Sequence, residues 1–282
     1  MDDFEDVYEA YSWQGFQSWV DKVRFGGTWC FRGERDASWE LNTSLDRALP
    51  RRISTPEREA LSAQLLFRFQ QQAHQYISLP PAHTDLSSWL AIMQHHGAPT
   101  RLLDWTKSPY AALYFAFEEE PPENGLCAVR AIDLNWLEHK ARERLQTDAW
   151  MFDDWNARAE LMNALLRSPI HENLILRVDP IRLDDRMVAQ QGLFLCNVTL
   201  GASFGMTLQR MIKDSDLPPH QYVLKRAVVK RELRADFLQR LSAMNVHRAS
   251  LFPGLDGFGR FLKYELETTV NVKASFTRNL SP

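Results

Sequence analysis

The chain predicts an α+β fold: a mixed, largely antiparallel sheet flanked by helices in a single globular domain. Three observations predict it. Short β-rich runs recur along the chain, helical patterns separate them, and no repeat, low-complexity tract or long linker divides the 282 residues. A chain of this length buries a sizeable core without disulfides or metals.

Taken in order, residues 4–23 space Phe4, Val7, Tyr8, Tyr11, Phe16, Trp19, Val20 and Val23 close to a helical period, interrupted near Gly15, and predict one or two amphipathic helices. Gly26-Gly27 ends them. Thr28-Trp29-Cys30-Phe31 then reads as a strand closing in Arg32-Gly33. Beyond a polar loop at 50–56, Pro56-Glu57 opens a helix reaching Ile77, with Leu61, Leu65, Leu66 and Phe69 on one stripe. A second helix runs from Leu86 to Gln94. Ser108 as N-cap and Pro109 at the first helical position open a third, which buries Tyr110, Leu113, Tyr114 and Phe117. Strands are expected at Leu126–Ile132, His171–Val178, Leu193–Val198 and Gln221–Lys230, and helices over 135–146, 155–167, Glu232–Met244 and Leu255–Leu266. The expected division is an N-terminal helical segment (1–27) packed on a domain (28–266), followed by a tail (267–282).

Composition narrows the partners. With 33 basic against 36 acidic side chains, no global field draws the protein to nucleic acid or membrane. Cys30, Cys127 and Cys196 are odd in number and form no C-x-x-C, so they read as apolar side chains in a reducing compartment. The acidic start Asp2-Asp3-Phe4-Glu5-Asp6 is the opposite of a signal peptide, and no apolar run approaches membrane-spanning length. A cytoplasmic protein without membrane contact is expected. Nine tryptophans and sixteen phenylalanines suit a solid core or an aromatic-walled pocket.

The chemistry-bearing residues concentrate in His95-His96-Gly97-Ala98-Pro99-Thr100-Arg101-Leu102-Leu103-Asp104-Trp105-Thr106. Gly97 and Pro99 predict that these groups converge at a loop mouth. Adjacent histidines point about 100° apart on a helix and do not share a metal as an i, i+4 pair does, so no metal is expected. The structural reading is that one histidine caps the helix end while the other packs; His95 takes that reading, and His96 is open between it and catalysis. Arg101 and Asp104, three apart, would pair on a helical turn. They either pin the loop or present a guanidinium, oriented by Asp104, to a phosphate or carboxylate. Trp105 either walls such a site or belongs to the core. Arg32-Gly33 adds a second guanidinium beside a glycine that admits a close approach. Gln190-Gln191-Gly192 offers amides able to read a ribose hydroxyl or carboxamide, or simply a turn. Glu118-Glu119-Glu120 burdens the end of the Ser108 helix with the wrong charge for its dipole, as a solvated end or for a functional reason. No G-x-S-x-G, P-loop or G-x-G-x-x-G occurs, which removes the commonest hydrolase, NTPase and dinucleotide-fold readings.

Four ordered motifs resemble the FRG domain family: Phe31-Arg32-Gly33, the block from Gln94 to Thr106 with Ser108-Pro109 and Ala112-Leu113-Tyr114-Phe115-Ala116, then Gln190-Gln191-Gly192-Leu193-Phe194, and Leu251-Phe252-Pro253-Gly254-Leu255-Asp256-Gly257. The resemblance runs from Trp29 to Lys263. His96 departs from it, standing where the family often has tyrosine, and so does Gly254, where it often has an acidic residue. Family members resemble bacterial toxin or phage-defence components. The motif order is also distantly similar to the ADP-ribosyltransferase fold. By that analogy Arg32, with Gly33, Thr100 and Arg101, would contact NAD, Trp105 or Tyr114 would wall the pocket, and Gln191 would take the third position. A glutamine there supplies no negative charge, so Asp104 or Glu118 would provide it.

Three functions follow as expectations. The first is an NAD-using ADP-ribosyltransferase-like effector acting on a protein or nucleic-acid target, restrained by an inhibitory partner protein. The second is a metal-free nuclease using His96 and Arg101, against which the balanced charge counts. The third is a non-catalytic ligand-binding or interaction module.

Overall fold

The computed structural model describes residues 4–25, 27–50, 52–120, 125–146, 155–168, 170, 172–178 and 185–278. In chain order its elements are β1 (Asp6–Ala10), α1 (Trp13–Arg24), β2 (Trp29–Glu34), α2 (Ser44–Ala48), α3 (Thr55–Ala73), α4 (Leu86–His95), β3 (Leu102–Thr106) and α5 (Pro109–Phe117). There follow β4 (Leu126–Asp133), α6 (Leu134–Leu145), α7 (Trp155–Arg167), β5 (Ile175–Val178), α8 (Asp185–Ala189), β6 (Gly192–Asn197) and α9 (Phe204–Lys213). The chain ends in β7 (Leu224–Lys230), α10 (Arg234–Ala243), α11 (Arg248–Leu251) and α12 (Leu255–Arg278).

The seven strands form one sheet in the order β1-β7-β4-β2-β3-β6-β5. Only β1 and β7 run parallel among these pairs; every other neighbour is antiparallel. The expected mixed α+β architecture is therefore the observed one. One apolar cluster packs α1, α5 and α10 against alternate residues of β2, β4 and β7, including Phe31, Val129 and Val229. A second gathers Leu90, Trp105, Leu137, Leu176, Leu195 and Phe204.

Local chemistry accounts for the helices. Ser108 caps α5 by accepting from the Ala111 N–H, with Pro109 at the first position, as expected. Asp85 caps α4 by accepting from the Ser88 N–H. The far end of α4 is a Schellman turn: Gly97 adopts φ +77°, the Ala98 N–H reaches the Met93 carbonyl at 2.9 Å and the Gly97 N–H the Gln94 carbonyl at 3.1 Å.

Three expectations need correction. Residues 6–10 are not helical but form β1, so the N-terminal segment enters the sheet edge through β7. The tail expected from 267 continues α12 through Arg278, with 279–282 outside the described residues. Residues 102–106 are a strand rather than part of a loop mouth, because each pairs with a residue of β6.

The sheet is unevenly paired. β2 and β4 share six register pairs and β3 and β6 share five, yet β2 and β3 meet only at Phe31 and Thr106. Past that rung the strands part.

A row of arginines crosses the sheet beside the parting. Arg32, Arg130 and Arg226 stand directly opposite one another on β2, β4 and β7. Like charges in register repel, and two buried carboxylates offset them. Arg130 pairs with Glu34 and, at 2.9 Å, with Glu5, while Arg226 reaches Glu5 at 3.2 Å. Arg32 lies 3.7 Å from Glu34, so three cations share two anions and the surplus charge sits by the gap.

Candidate functional site

The gap between β2 and β3 opens into a cleft of about 240 Å³. Arg32, Gln94, His95, Asp104, Phe115, Arg186, Gln190 and Phe194 line it, with Trp105 beneath. Four segments far apart in sequence thus meet at the splayed strands.

Arg32 bridges the parting. Its Nη1 donates to the Asp104 carbonyl at 2.8 Å, replacing the ladder bond that the diverging strands no longer make. Burial pulls its guanidinium below the ordinary value, against the opposing charges of Glu34 and Asp104.

Asp104 presents its side chain to the cleft. Its Oδ2 accepts from Gln94 Nε2 at 2.7 Å, and Gln94 Oε1 accepts from the Thr100 hydroxyl at 2.6 Å. Thr100 therefore fixes which way the Gln94 amide faces, and Gln94 in turn fixes the carboxylate. Asp104 Oδ1 accepts no hydrogen bond among the described residues.

Arg186, on α8, lies over the Phe252 ring at 4.4 Å, and Arg248 lies over the same ring at 3.5 Å. No carboxylate pairs with Arg186 among the described residues. Gln190 Nε2 donates to the Leu251 carbonyl at 2.9 Å, and its own carbonyl accepts from Thr106 Oγ1 at 2.6 Å. That residue ties two of the motifs together at the cleft edge.

Of the expected site residues, Arg32, Gly33, Asp104 and Trp105 border the cleft. Gly33 serves the backbone of α5 rather than a ligand: a Cβ there would lie 1.8 Å from the Ala112 carbonyl oxygen. Trp105 is only 3% exposed and its side chain belongs to the core.

The others are elsewhere. Arg101 does not pair with Asp104. Its side chain is buried, donating to the Val198 carbonyl at 3.2 Å. The chain bends at Arg101 and runs on as strand β3 instead of a helical turn, so the pairing expected on such a turn does not form. Thr100 is buried and fastens α4 to β3 instead of contacting a ligand. His96 is the exposed C-cap of α4, whereas its neighbour His95 reaches the cleft, which reverses the roles expected of the pair. Neither His96 nor Arg101, the pair expected of a nuclease, lines this cleft. Gln191 occupies a turn at φ +48°, its carbonyl accepting from the Lys107 N–H at 3.0 Å, and Gln190 takes its place at the cleft.

Tyr114 and Glu118 border a different crevice, with Arg234, His247, Arg248, Arg260 and Tyr264. Burial pushes the Tyr114 hydroxyl up to about 12, and Glu118 forms an ion pair with Arg248. His247 stacks on Phe261 at 4.4 Å and caps α11 by accepting from the Ser250 N–H. Burial lowers its pKa despite nearby Glu265, so the folded state binds fewer protons here than the unfolded chain. This contribution to stability is present above the ordinary histidine pKa of about 6.5 and is lost as the pH falls through that region. Urea midpoints across pH 5–8 should show the loss in the wild type and a smaller one in His247→Gln.

Sequence reasoning assigned no ligand role to Gln94, His95, Phe115, Arg186 or Phe194. A signal for Arg186 existed, because it lies four residues before Gln190 and the two share a helical face.

Among the described residues no group of three or more His, Cys, Asp and Glu side chains is placed to hold a metal, and no helix is long and apolar enough to cross a membrane. No curated protein and no solved structure matches the chain. A family model described as the FRG domain does match residues 27–125, a stretch that includes Phe31-Arg32-Gly33, the block from Gln94 to Thr106 and α5. The Gln190 and Leu251 motifs lie beyond it, although the first lines the cleft and the second is tied to it through the Gln190 side chain. The chain carries an FRG domain over residues 27–125.

Proposed function

We propose that the cleft takes the nicotinamide-ribose end of NAD and cleaves the bond between ring and ribose, passing ADP-ribose to a protein, nucleic acid or water. The observation that carries this reading is Asp104. It is an exposed carboxylate on the wall of the cleft, with one oxygen tied to Gln94 and the other accepting no hydrogen bond among the described residues, and two guanidiniums line the same cleft.

The chemistry asks for that combination. The bond from the ribose anomeric carbon to the pyridinium nitrogen breaks, and both electrons leave with nicotinamide as a neutral molecule. The anomeric carbon gains positive charge, which a fixed carboxylate stabilises without reorganising. A lone pair of the acceptor forms the new bond, and the acceptor's proton passes to solvent. Arg186, without a carboxylate partner among the described residues, and Arg32, with surplus charge from its row, suit the two phosphates of the ADP-ribosyl group that stays behind. Phe115 and Phe194 offer apolar surface to a flat ring. A volume of about 240 Å³ suits one end of the ligand, since whole-ligand pockets run to roughly 300–1,000 Å³.

The test is incubation of purified protein with NAD and cell lysate, followed by chromatography for nicotinamide and ADP-ribosylated product. Removing a fixed electrostatic group from a transition state costs about 10²–10³-fold, so Asp104→Asn is expected to lose that much turnover while keeping its melting temperature. Gln94→Leu should lose less. If the protein is the toxin or defence effector that its FRG motifs suggested, induced expression will arrest growth and Asp104→Asn will relieve the arrest. Binding of NAD with no release of nicotinamide would leave a ligand-binding module and overturn the catalytic reading.

A further inference from the structure

Arg101 raises a problem that the cleft does not solve. It is 5% exposed, yet no carboxylate lies within ion-pair distance of it among the described residues. Its hydrogen bonds go to the Val198 carbonyl at 3.2 Å and, at the limit of contact, to Ser62 Oγ at 3.5 Å. A buried guanidinium is ordinarily matched by an anion, because desolvation penalises an unmatched charge.

The same guanidinium borders a cavity of about 460 Å³, separate from the cleft and lined by residues of α3, α4 and α7. Glu59 stands on its wall. Glu59 Oε1 is shielded from solvent and accepts no hydrogen bond among the described residues, and its charge acts on Arg101 without the two being in contact. The cavity therefore holds a buried cation and a buried acceptor oxygen, each short of a partner and held apart from the other. Leu66, Phe67, Leu90 and Leu166 supply apolar wall.

We infer that this cavity is a second ligand site and that it takes an α-amino acid with an apolar side chain. The ligand's carboxylate meets the Arg101 fork, its ammonium donates to Glu59 Oε1, and its side chain lies against Leu66, Phe67 and Leu90. A simple anion would leave the Glu59 oxygen unmatched and a simple amine would leave Arg101 unmatched. A zwitterion satisfies both and adds no net charge, while Arg167, the other cation on the wall, is exposed to solvent. The volume lies within the range of about 300–1,000 Å³ typical of small-molecule sites.

Calorimetric titration of the full chain tests this with leucine and phenylalanine, with 4-methylpentanoate, which lacks the ammonium, and with 3-methylbutylamine, which lacks the carboxylate. Saturable binding of at least one amino acid is expected, with each single-charge analogue weaker by tenfold or more. Glu59→Gln should weaken the amino acid by a similar factor. Ala63→Trp, which fills the cavity from its wall, should abolish binding in a protein whose circular dichroism is unchanged. Because Arg101 is part of the core, these two variants carry the test in place of its replacement. No saturable binding by any apolar amino acid, equal affinity for the deaminated acid, or binding that survives Ala63→Trp each overturns the assignment.

Discussion

Gly33→Ala is expected to destabilise the protein by about 3 kcal/mol or more, at the upper end of what overpacking costs. The added Cβ would lie 1.8 Å from the Ala112 carbonyl oxygen and 2.7 Å from the Ala116 nitrogen. Both are backbone atoms of α5, which cannot swing aside as a side chain would. The helix must retreat from β2 instead, and with it the Phe115 wall of the cleft. Gly97→Ala is the natural control. A Cβ there meets nothing within 4 Å and the cost comes only from φ +77°, about 1 kcal/mol. Thermal melts should fall by roughly 6–12 °C for a 3 kcal/mol loss in a chain of this size, with a much smaller fall in the control. Equal melts for the two variants would disprove the close-approach account of the Phe-Arg-Gly glycine.

Arg130→Met is expected to cost about 3–5 kcal/mol at neutral pH, the penalty for leaving buried carboxylates without their cation. Arg130 serves Glu34 and Glu5 together and also donates to the Trp39 carbonyl at 3.1 Å. Burial alone would lower its guanidinium, but those two carboxylates more than reverse this and hold it above its ordinary value. Glu34 is raised by burial even with Arg130 beside it, and removing the cation raises it further. A folded pKa above the unfolded one means the native state binds the extra proton. The contribution to stability is present below the unfolded glutamate value of about 4.3 and is lost as the pH rises through the folded value. The deficit of Arg130→Met should therefore shrink toward pH 4, and adding Glu34→Gln should restore part of it at pH 7. Urea titrations at the two pH values decide the matter, and a deficit that did not change with pH would contradict it.

Legibility from sequence followed the range of the interactions. The Ser108 cap with Pro109 opens α5 as read, since a cap and its helix are neighbours in the chain. β1 was read as helix because Phe4, Val7, Tyr8 and Tyr11 fit that period, whereas parallel pairing with β7, more than two hundred residues away, decides its conformation. At the site, errors of one residue mattered most. Arg101 and Asp104 suit a helical turn by spacing, but the chain enters β3 immediately after Arg101, whose side chain is buried while Asp104 faces the cleft. Tyr114 and Phe115 differ by one helical step, and only Phe115 walls the cleft. The convergence of Arg32, Asp104 and the Gln190 segment could be named from motif order, but not the splaying of β2 from β3 that makes room for it.

That splaying also sets the stiffness of the molecule. Every other ladder in the sheet holds four rungs or more, and the β2–β3 junction holds one, reinforced by the Arg32 bond to the Asp104 carbonyl. The sheet thus behaves as two boards joined by a single peg and one strap. Its softest direction is the one that changes the distance between Arg32 and Asp104, so a ligand gripped by both side chains also fastens the boards.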